Sequence, residues 1–339
     1  MSREGNNYVK YNYVILATYS NLYKYLYQDI LNFDNVKVYW DKEELLEGLP
    51  KLEKKLAKVY TSEKLNRVIH FPLKKVWYFK ASKKIKFENE NPLCFIWHHH
   101  FITEIDNGMV HFIKKVFPES KHLFFLTDPW RVNEGSIKKL IRAGIDNIAV
   151  FDINLAEKHG LWYLPLIYPD NKKDNTSAVE YDICFVGHDK GRESDLSAIA
   201  KLCKINNIKS AFYIAREKGR NESVGGGINY IENKMAYIDV VELVKRSNCI
   251  LELGVKPDLS CSLRIQEAVI WNKKLITNNS NVARMPCCKD SEWIHYFEKP
   301  EDIDWDFVKR NEKVDYHYSG EYSAFKWLQA IENNLKNSM

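Results

Sequence analysis

The chain has 339 residues, a formal net charge of +5, and hydrophobic (45%) and charged (28%) fractions that are ordinary for a globular protein. No apolar run approaches the ~20 residues that a membrane-spanning helix needs. The sequence up to Asn7 is polar and has no signal-peptide core. A chain of this length has room for two domains, and these features together predict a cytoplasmic protein.

Cysteine usage agrees with that compartment. The chain contains seven cysteines, mostly in apolar strand-like or helical runs, and no C-x-x-C pair. Neither a zinc site nor a dithiol redox centre is therefore indicated.

Strand and helix patterns alternate through the first half of the chain. The predicted strands are 13–17, 36–40, 92–97, 123–126, 148–151 and 162–167. The predicted helices are 21–31, 43–59, 102–116, 136–143 and a short one that ends at Gly160. In helix 43–59 the leucines 45, 49, 52 and 56 recur at the spacing of one helix face. Such alternation predicts a parallel sheet covered by helices.

The pattern restarts after a polar stretch. The second half predicts strands at 181–186, 210–214, 249–253 and 274–277, with helices at 193–205, 237–246, 262–271 and 322–335. We therefore divide the chain into an N-terminal domain (1–168), a linker (169–180), a C-terminal domain (181–318) and a C-terminal segment (319–339) that packs back on the first domain. The predicted fold class is α/β, with two doubly wound Rossmann-like domains facing a cleft. Ligands of such sheets bind beyond the carboxyl ends of the strands.

A glycine-rich basic loop follows the first strand of the second domain. Gly187 and Gly191 allow the backbone to approach a ligand, and Lys190 and Arg192 add positive charge before the next helix. This position suits a phosphate, although neither a P-loop nor a G-x-G-x-x-G spacing is present. A common Gly- and Lys-rich turn is the alternative.

A second cationic element occurs in the segment 260–279. Ser262 is a candidate N-cap for helix 262–271, so free backbone N–H groups would lie beside Arg264. Such a terminus binds anions, especially phosphate. Arg192, Lys190 and Arg264 together could hold a nucleotide diphosphate, and Glu267 could accept hydrogen bonds from its ribose. The alternative is an ordinary helix start with a surface Arg–Glu pair.

These two elements also carry a family resemblance. The runs 181–192, Ser262-Leu-Arg-x-x-Glu-Ala268 and 273–279 resemble bacterial GT-B-fold glycosyltransferases of capsule, exopolysaccharide and O-antigen synthesis. Ser260-Cys261 stands where that group usually has a glycine. The resemblance implies sugar transfer from a nucleotide-sugar donor, bound by the C-terminal domain, to a glycan or lipid-linked acceptor. It implies no metal or other cofactor.

Candidates for a catalytic base lie at strand ends of the N-terminal domain. His98 and His99 follow the strand 92–97, and Asp128 follows the strand 123–126. An imidazole or carboxylate there could deprotonate an acceptor hydroxyl. Hydrogen-bonded loop histidines and a helix N-cap are the alternatives. The only Asp-x-Asp pattern, at 302–306, comes late in the chain and resembles a helix start, which argues against a divalent-metal transferase.

Charge is concentrated in residues 51–86. This segment holds twelve Lys or Arg against two Glu, a local charge of +10 that leaves −5 for the remainder. Aromatic residues are interleaved with the lysines, so the segment could face an anionic membrane on its cytoplasmic side, or it could be a solvated basic face. No nucleic-acid-binding motif accompanies it.

The sequence therefore predicts a metal-independent glycosyltransferase, cytoplasmic or peripheral on the inner face of the membrane. A transferase of another nucleotide-activated group, such as a polyol phosphate, is one alternative. A non-catalytic two-domain protein that binds nucleotide or glycan is the other.

Overall fold

A computed structural model describes residues 11–47, 49–60, 62, 65, 74–98, 107–127, 134–145, 147–170, 178–188, 190–215, 227–254 and 262–337. The chain forms two compact units. One comprises the described residues of Met1–Ile167 and Ala324–Met339, and the other is Tyr168–Ser323.

The first unit is built on a six-stranded parallel sheet. Its strands are β1 (Asn12–Leu16), β2 (Val36–Tyr39), β3 (Leu93–His98), β4 (Lys121–Leu126), β5 (Asn147–Val150) and β6 (Trp162–Tyr163). Its described helices are α1 (Asn21–Leu26), α2 (Lys42–Leu45), α3 (Lys51–Tyr60), α4 (Lys74–Ser82), α5 (Asn107–Val116), α6 (Glu134–Arg142), α7 (Ile153–His159) and α12 (Ala324–Asn337), with a 3-10 turn at Ile30–Asn32. The strand order is β2-β1-β3-β4-β5-β6.

The second unit repeats this architecture with a different strand order. Its strands are β7 (Tyr181–His188), β8 (Ser210–Ala215), β9 (Ile228–Ile231), β10 (Ser247–Glu252), β11 (Lys274–Thr277) and β12 (Ile294–Tyr296). Its described helices are α8 (Glu193–Ile205), α9 (Tyr237–Lys245), α10 (Leu263–Ile270) and α11 (Trp305–Lys309), with 3-10 turns at Ser280–Arg284 and Pro300–Asp302. The sheet order is β12-β11-β10-β7-β8-β9, again with parallel neighbours.

The predicted fold class is confirmed. Both sheets are wholly parallel, and their central strands are apolar runs buried along most of their length, as expected when helices cover both faces. In the second unit the chain reverses its direction across the sheet between β7 and β10. This strand order is that of dinucleotide-binding domains, and the reversal is where such sheets bind ligands.

Helix α12 belongs to the first unit. Tyr13 Oη on β1 donates a hydrogen bond to Glu332 Oε1 at 3.1 Å. Trp327 packs edge-on against Tyr27 and Phe125, with ring centroids 6.1 and 5.7 Å apart. The last helix of the chain therefore completes the core that the first strand begins.

The predicted helix 43–59 is wrong as a single element. The structure has two helices instead: α2 ends before Pro50, and α3 begins directly after it. Proline lacks the N–H that a continuous helix would use and clashes with the preceding turn. Leu45 is consequently buried, whereas Leu52 and Leu56, predicted on the same face, are exposed.

Several short elements were not predicted from the sequence. Strands β9 and β12 and helix α4 had no clear periodicity, and the predicted strand 162–167 is reduced to the two residues of β6. The edge strands β9 and β12 have three or four residues each, too few for an alternating pattern. None of the described helices combines the length and apolar character that crossing a membrane requires.

A stacked histidine lies in the core of the first unit. The His122 ring is nearly parallel to the rings of Phe95 and Trp97, with centroids 5.0 and 6.0 Å away. Its Nδ1 accepts a hydrogen bond from Trp97 Nε1 at 3.1 Å, and Ser120 Oγ is 2.9 Å from its Nε2. Burial, reinforced by the charge of Lys114, lowers the pKa of His122 to about 3.

His122 should therefore make folding acid-sensitive. Between the unfolded pKa of about 6.5 and the folded value, the unfolded chain binds a proton that the folded chain does not, so stability falls as the pH falls. At about pH 4, His122 should lower the free energy of unfolding by about 3 kcal/mol relative to neutral pH. Urea unfolding across this range should show a shallower pH slope in His122→Phe than in the wild type, whatever the absolute stability. An unchanged slope would contradict the assignment.

Candidate functional site

The carboxyl ends of β7 and β10 bring two arginines of the second unit together. These strands are hydrogen-bonded neighbours, and the helices that follow them carry Arg192 and Arg264. Both guanidinium groups lie against the ring of Phe185, with Cζ atoms 5.4 and 4.7 Å from its centroid. Two positive charges are thus held together at the point where the sheet reverses its strand order.

Arg264 lies directly over the end of β7. Its Nη2 donates a hydrogen bond to the Val186 carbonyl oxygen. A Cβ on Gly187 would overlap Nη2 and lie 3.5 Å from Cζ. The backbone of Gly187 has no positive φ, so a glycine at this position is explained by the close approach of Arg264.

Arg192 links the ends of two strands. It donates hydrogen bonds through Nη1 to the Leu253 carbonyl oxygen at 2.5 Å and through Nη2 to the His188 carbonyl oxygen at 2.6 Å. The side chain is almost fully buried. Arg192 therefore holds the chain in place directly after β7 and β10, and it adds a positive charge at this end of the sheet.

Glu252 is a buried carboxylate that sequence reasoning missed. It ends β10, is fully buried, and accepts a hydrogen bond from Thr277 Oγ1 at the end of β11. Burial raises its pKa, although the hydrogen bond from Thr277 and the charge of Arg264 oppose that shift. A charged residue directly after the apolar run 249–251 was the signal that could have found it.

Glu267 is held on α10 by a chain of hydrogen bonds. Tyr237 Oη donates to Glu267 Oε1 at 2.6 Å and lies 3.3 Å from Tyr168 Oη, which also accepts from Trp271 Nε1 at 3.0 Å. Burial raises the pKa of Glu267, against the hydrogen bond from Tyr237 and the charge of Arg264. The carboxylate is therefore oriented before any ligand arrives.

The remaining predicted residues of this unit are Lys190 and Ser262. Lys190 is exposed in the loop after β7, with a φ of 43°. Ser262 takes the N-cap position of α10 with extended backbone, φ −103° and ψ 163°, without a capping hydrogen bond from its side chain to the helix. The structure thus places the predicted residues Gly187, Arg192 and Arg264 in one cluster, and Ser262 and Glu267 on the helix that carries Arg264.

The catalytic candidates of the first unit are described only in part. His98, at the end of β3, is fully buried with its Nε2 2.7 Å from Tyr27 Oη. It packs edge-on against Tyr23 and Phe125. His99 and Asp128 lie outside the described residues. A catalytic role for these three residues stays a prediction.

Metal-ligating side chains do not cluster in the described part of the chain. Nowhere in it do three His, Cys, Asp or Glu side chains come together in a group that could hold a metal ion. Beside the carboxyl ends of β7 and β10 the structure instead describes the two arginines Arg192 and Arg264, the carboxyl groups of Glu252 and Glu267, and the exposed Lys190.

Similarity to known proteins is confined to the fold. No protein-family model matches the sequence, and no curated protein sequence is significantly similar to it. Among solved structures, an α-glucosyltransferase in complex with UDP and mismatched DNA is 13% identical, with 96% of this chain and 98% of that chain covered and a TM-score of 0.56. A trehalose-6-phosphate synthase, OtsA, is 11% identical over 96% and 99%, with a TM-score of 0.54.

A third structure has the same architecture. A UDP-forming α,α-trehalose-phosphate synthase from Burkholderia xenovorans is 10% identical over 96% of this chain and 99% of that chain, with a TM-score of 0.51. All three are GT-B glycosyltransferases built from two Rossmann-like domains, and this chain has that pair of domains. Identities this low establish the fold and leave the chemistry to be inferred from the site.

Proposed function

We propose that this protein is a glycosyltransferase that moves a sugar from a nucleotide-sugar donor to a glycan or lipid-linked acceptor in cell-surface polysaccharide synthesis. The observation that carries the proposal is the pair Arg192 and Arg264, held over Phe185 at the strand-order reversal of the second unit. The neighbours in complex with UDP or described as UDP-forming support a nucleoside diphosphate as the group bound there.

Each residue of the cluster has a distinct proposed role. Arg264 and Lys190 contact the diphosphate, and Gly187, which has no side chain, leaves room for the Arg264 guanidinium at the end of β7. Arg192 shapes the loops and contributes charge. Glu267, oriented by Tyr237, accepts hydrogen bonds from the ribose hydroxyls.

Charge stabilisation is the main catalytic contribution in this proposal. As the bond between the sugar and the diphosphate breaks, negative charge grows on the departing phosphate oxygens. Guanidinium groups fixed beforehand by backbone carbonyls and an aromatic ring stabilise that charge without reorganising. Positioning of donor and acceptor supplies the remainder. The acceptor base is proposed among His98, His99 and Asp128, and no metal ion is required.

The direct test combines binding and turnover by the purified protein. A thermal-shift screen with nucleoside diphosphates should show a selective rise in unfolding temperature, since a ligand at a hundred times its Kd adds about 2.7 kcal/mol to the folded state. The matching nucleotide sugar should then be hydrolysed or transferred in the presence of EDTA. No nucleotide binding would refute the proposal. Binding without turnover would identify a non-catalytic sensor, and loss of turnover in EDTA would refute metal independence.

A further inference from the structure

Helix α3 turns an apolar stripe toward solvent. Leu52, Leu56 and Val59 recur at i, i+4 and i+7 and are 71%, 43% and 41% exposed. Ala57, on the opposite side, is fully buried. In a globular protein an amphipathic helix normally buries its apolar stripe against the core. Here the stripe faces outward, on a helix that begins directly after Pro50.

Lysines border this stripe. Lys51 and Lys55 are exposed and form a row parallel to Leu52 and Leu56, one residue earlier along the helix. The exposed surface of α3 is therefore an apolar strip with a cationic edge. That arrangement is typical of helices that lie in the interface of an anionic bilayer, apolar side chains inserted and lysines at the headgroups.

Helix α4 presents the same combination. Val76 is exposed, Phe79 is 47% exposed, and the ammonium group of Lys83 lies 4.4 Å from the Phe79 ring centroid. Lys75 is exposed on the same helix. Aromatic rings with adjacent lysines are favoured at the headgroup level of membranes.

The two helices pack on each other. The rings of Tyr60 on α3 and Trp77 on α4 have centroids 6.3 Å apart, and Lys80 forms an ion pair with Glu53. Leu46, Ala57 and Trp77 form a small hydrophobic cluster between these elements. The contacts hold α3 and α4 together as one substructure.

Charge decides which partner fits this surface. Residues 51–86 carry a formal charge of +10. A second copy of the chain would bring the same lysines against one another in a two-fold interface, which is unfavourable. An anionic lipid surface instead complements the lysines while its acyl region takes up the leucines and Phe79.

We infer that α3 and α4 form a docking surface for anionic membranes, with Leu52, Leu56, Val59 and Phe79 inserted at the headgroup level. This surface lies in the first unit and shares no residue with the nucleotide-binding cluster of the second. Membrane docking is therefore independent of the proposed transferase activity, and each can fail without the other.

Vesicle co-sedimentation tests the inference. The full-length protein is expected to bind vesicles of equal parts phosphatidylcholine and phosphatidylglycerol and to bind pure phosphatidylcholine at least about tenfold more weakly. The double variant Leu52→Gln/Leu56→Gln should lose at least about tenfold in binding, because it removes apolar surface without changing charge. Lys51→Gln/Lys55→Gln should weaken binding and reduce its salt sensitivity.

A matched control uses an exposed apolar residue elsewhere. Ile205, at the end of α8, is 74% exposed, and Ile205→Gln should bind vesicles like the wild type. All variants replace exposed side chains, so circular dichroism should confirm an unchanged fold.

Three results would overturn the inference. Wild-type protein that binds neither vesicle has no docking surface, and equal binding by the leucine variant and the wild type removes α3 from it. A dimer in light scattering that Leu52→Gln/Leu56→Gln dissociates would assign the stripe to a second copy.

Discussion

Replacing Arg264 with alanine is expected to weaken nucleoside diphosphate binding more than tenfold. Arg264 is fixed by the Val186 carbonyl oxygen and the Phe185 ring at the strand-order reversal, where a diphosphate would approach it. A charge-assisted hydrogen bond contributes about 1.5–3 kcal/mol, and about 1.4 kcal/mol corresponds to a factor of ten in Kd. Isothermal titration with the diphosphate selected by the thermal-shift screen measures the loss.

Two control variants distinguish the loss of the Arg264–phosphate contact from the loss of one positive charge. Arg264→Lys keeps the charge but not the planar fork that fits phosphate, so an intermediate loss is expected. Arg246→Ala removes the same charge from the same unit at an exposed ion pair with Glu180. It should change Kd less than about twofold, because screened surface charges contribute little. Equal affinities of Arg264→Ala and wild type would remove Arg264 from the site.

The fold could be predicted from the sequence because its signal is local. Strands such as β7 and β10 contain apolar runs and are followed by loops and amphipathic helices, and this alternation alone indicates parallel sheets. The grouping of Gly187, Arg192 and Arg264 followed from one rule, that the carboxyl ends of neighbouring strands lie at the same edge of a sheet. The sequence did not predict that the two strands are neighbours, and the sheet order shows that they are.

The parts that sequence reasoning missed depend on long-range packing or on a single residue. The leucine spacing of 43–59 indicated one helix, yet Pro50 divides it, and the direction of Leu52 then depends on how α3 packs. The buried Glu252 accepts a hydrogen bond from Thr277 on the neighbouring strand, and no local sequence pattern indicates that contact. Gly187 was predicted to let the backbone approach a ligand. In the structure, the missing side chain leaves space for the guanidinium of Arg264, which is distant in the sequence.

The close contact between Gly187 and Arg264 predicts that a substitution at Gly187 will also weaken nucleotide binding. Gly187→Ala should weaken nucleoside diphosphate binding about tenfold, because the new methyl group takes the position of Arg264 Nη2. The overlapping atom is the end of a flexible side chain, so the guanidinium can turn away at little cost to folding. We therefore expect a variant with nearly wild-type thermal stability and a strongly raised Kd in the same titration.

A double-mutant cycle distinguishes this indirect effect from direct loss of a phosphate contact at residue 187. Once Arg264→Ala has emptied the space beside β7, the methyl group of Gly187→Ala no longer displaces anything, so the double variant should bind as weakly as Arg264→Ala alone. Additive losses would mean that Gly187 acts on the ligand independently of Arg264.

Gly160→Ala is the control variant. The new Cβ would meet no atom within 4 Å, but the φ of 61° at this position makes an alanine strained. Gly160→Ala should lose thermal stability and keep its nucleotide affinity, which is the reverse of the pattern expected for Gly187→Ala. The reason is that Gly160 ends α7 in the first unit, so strain there does not displace the arginines of the second unit.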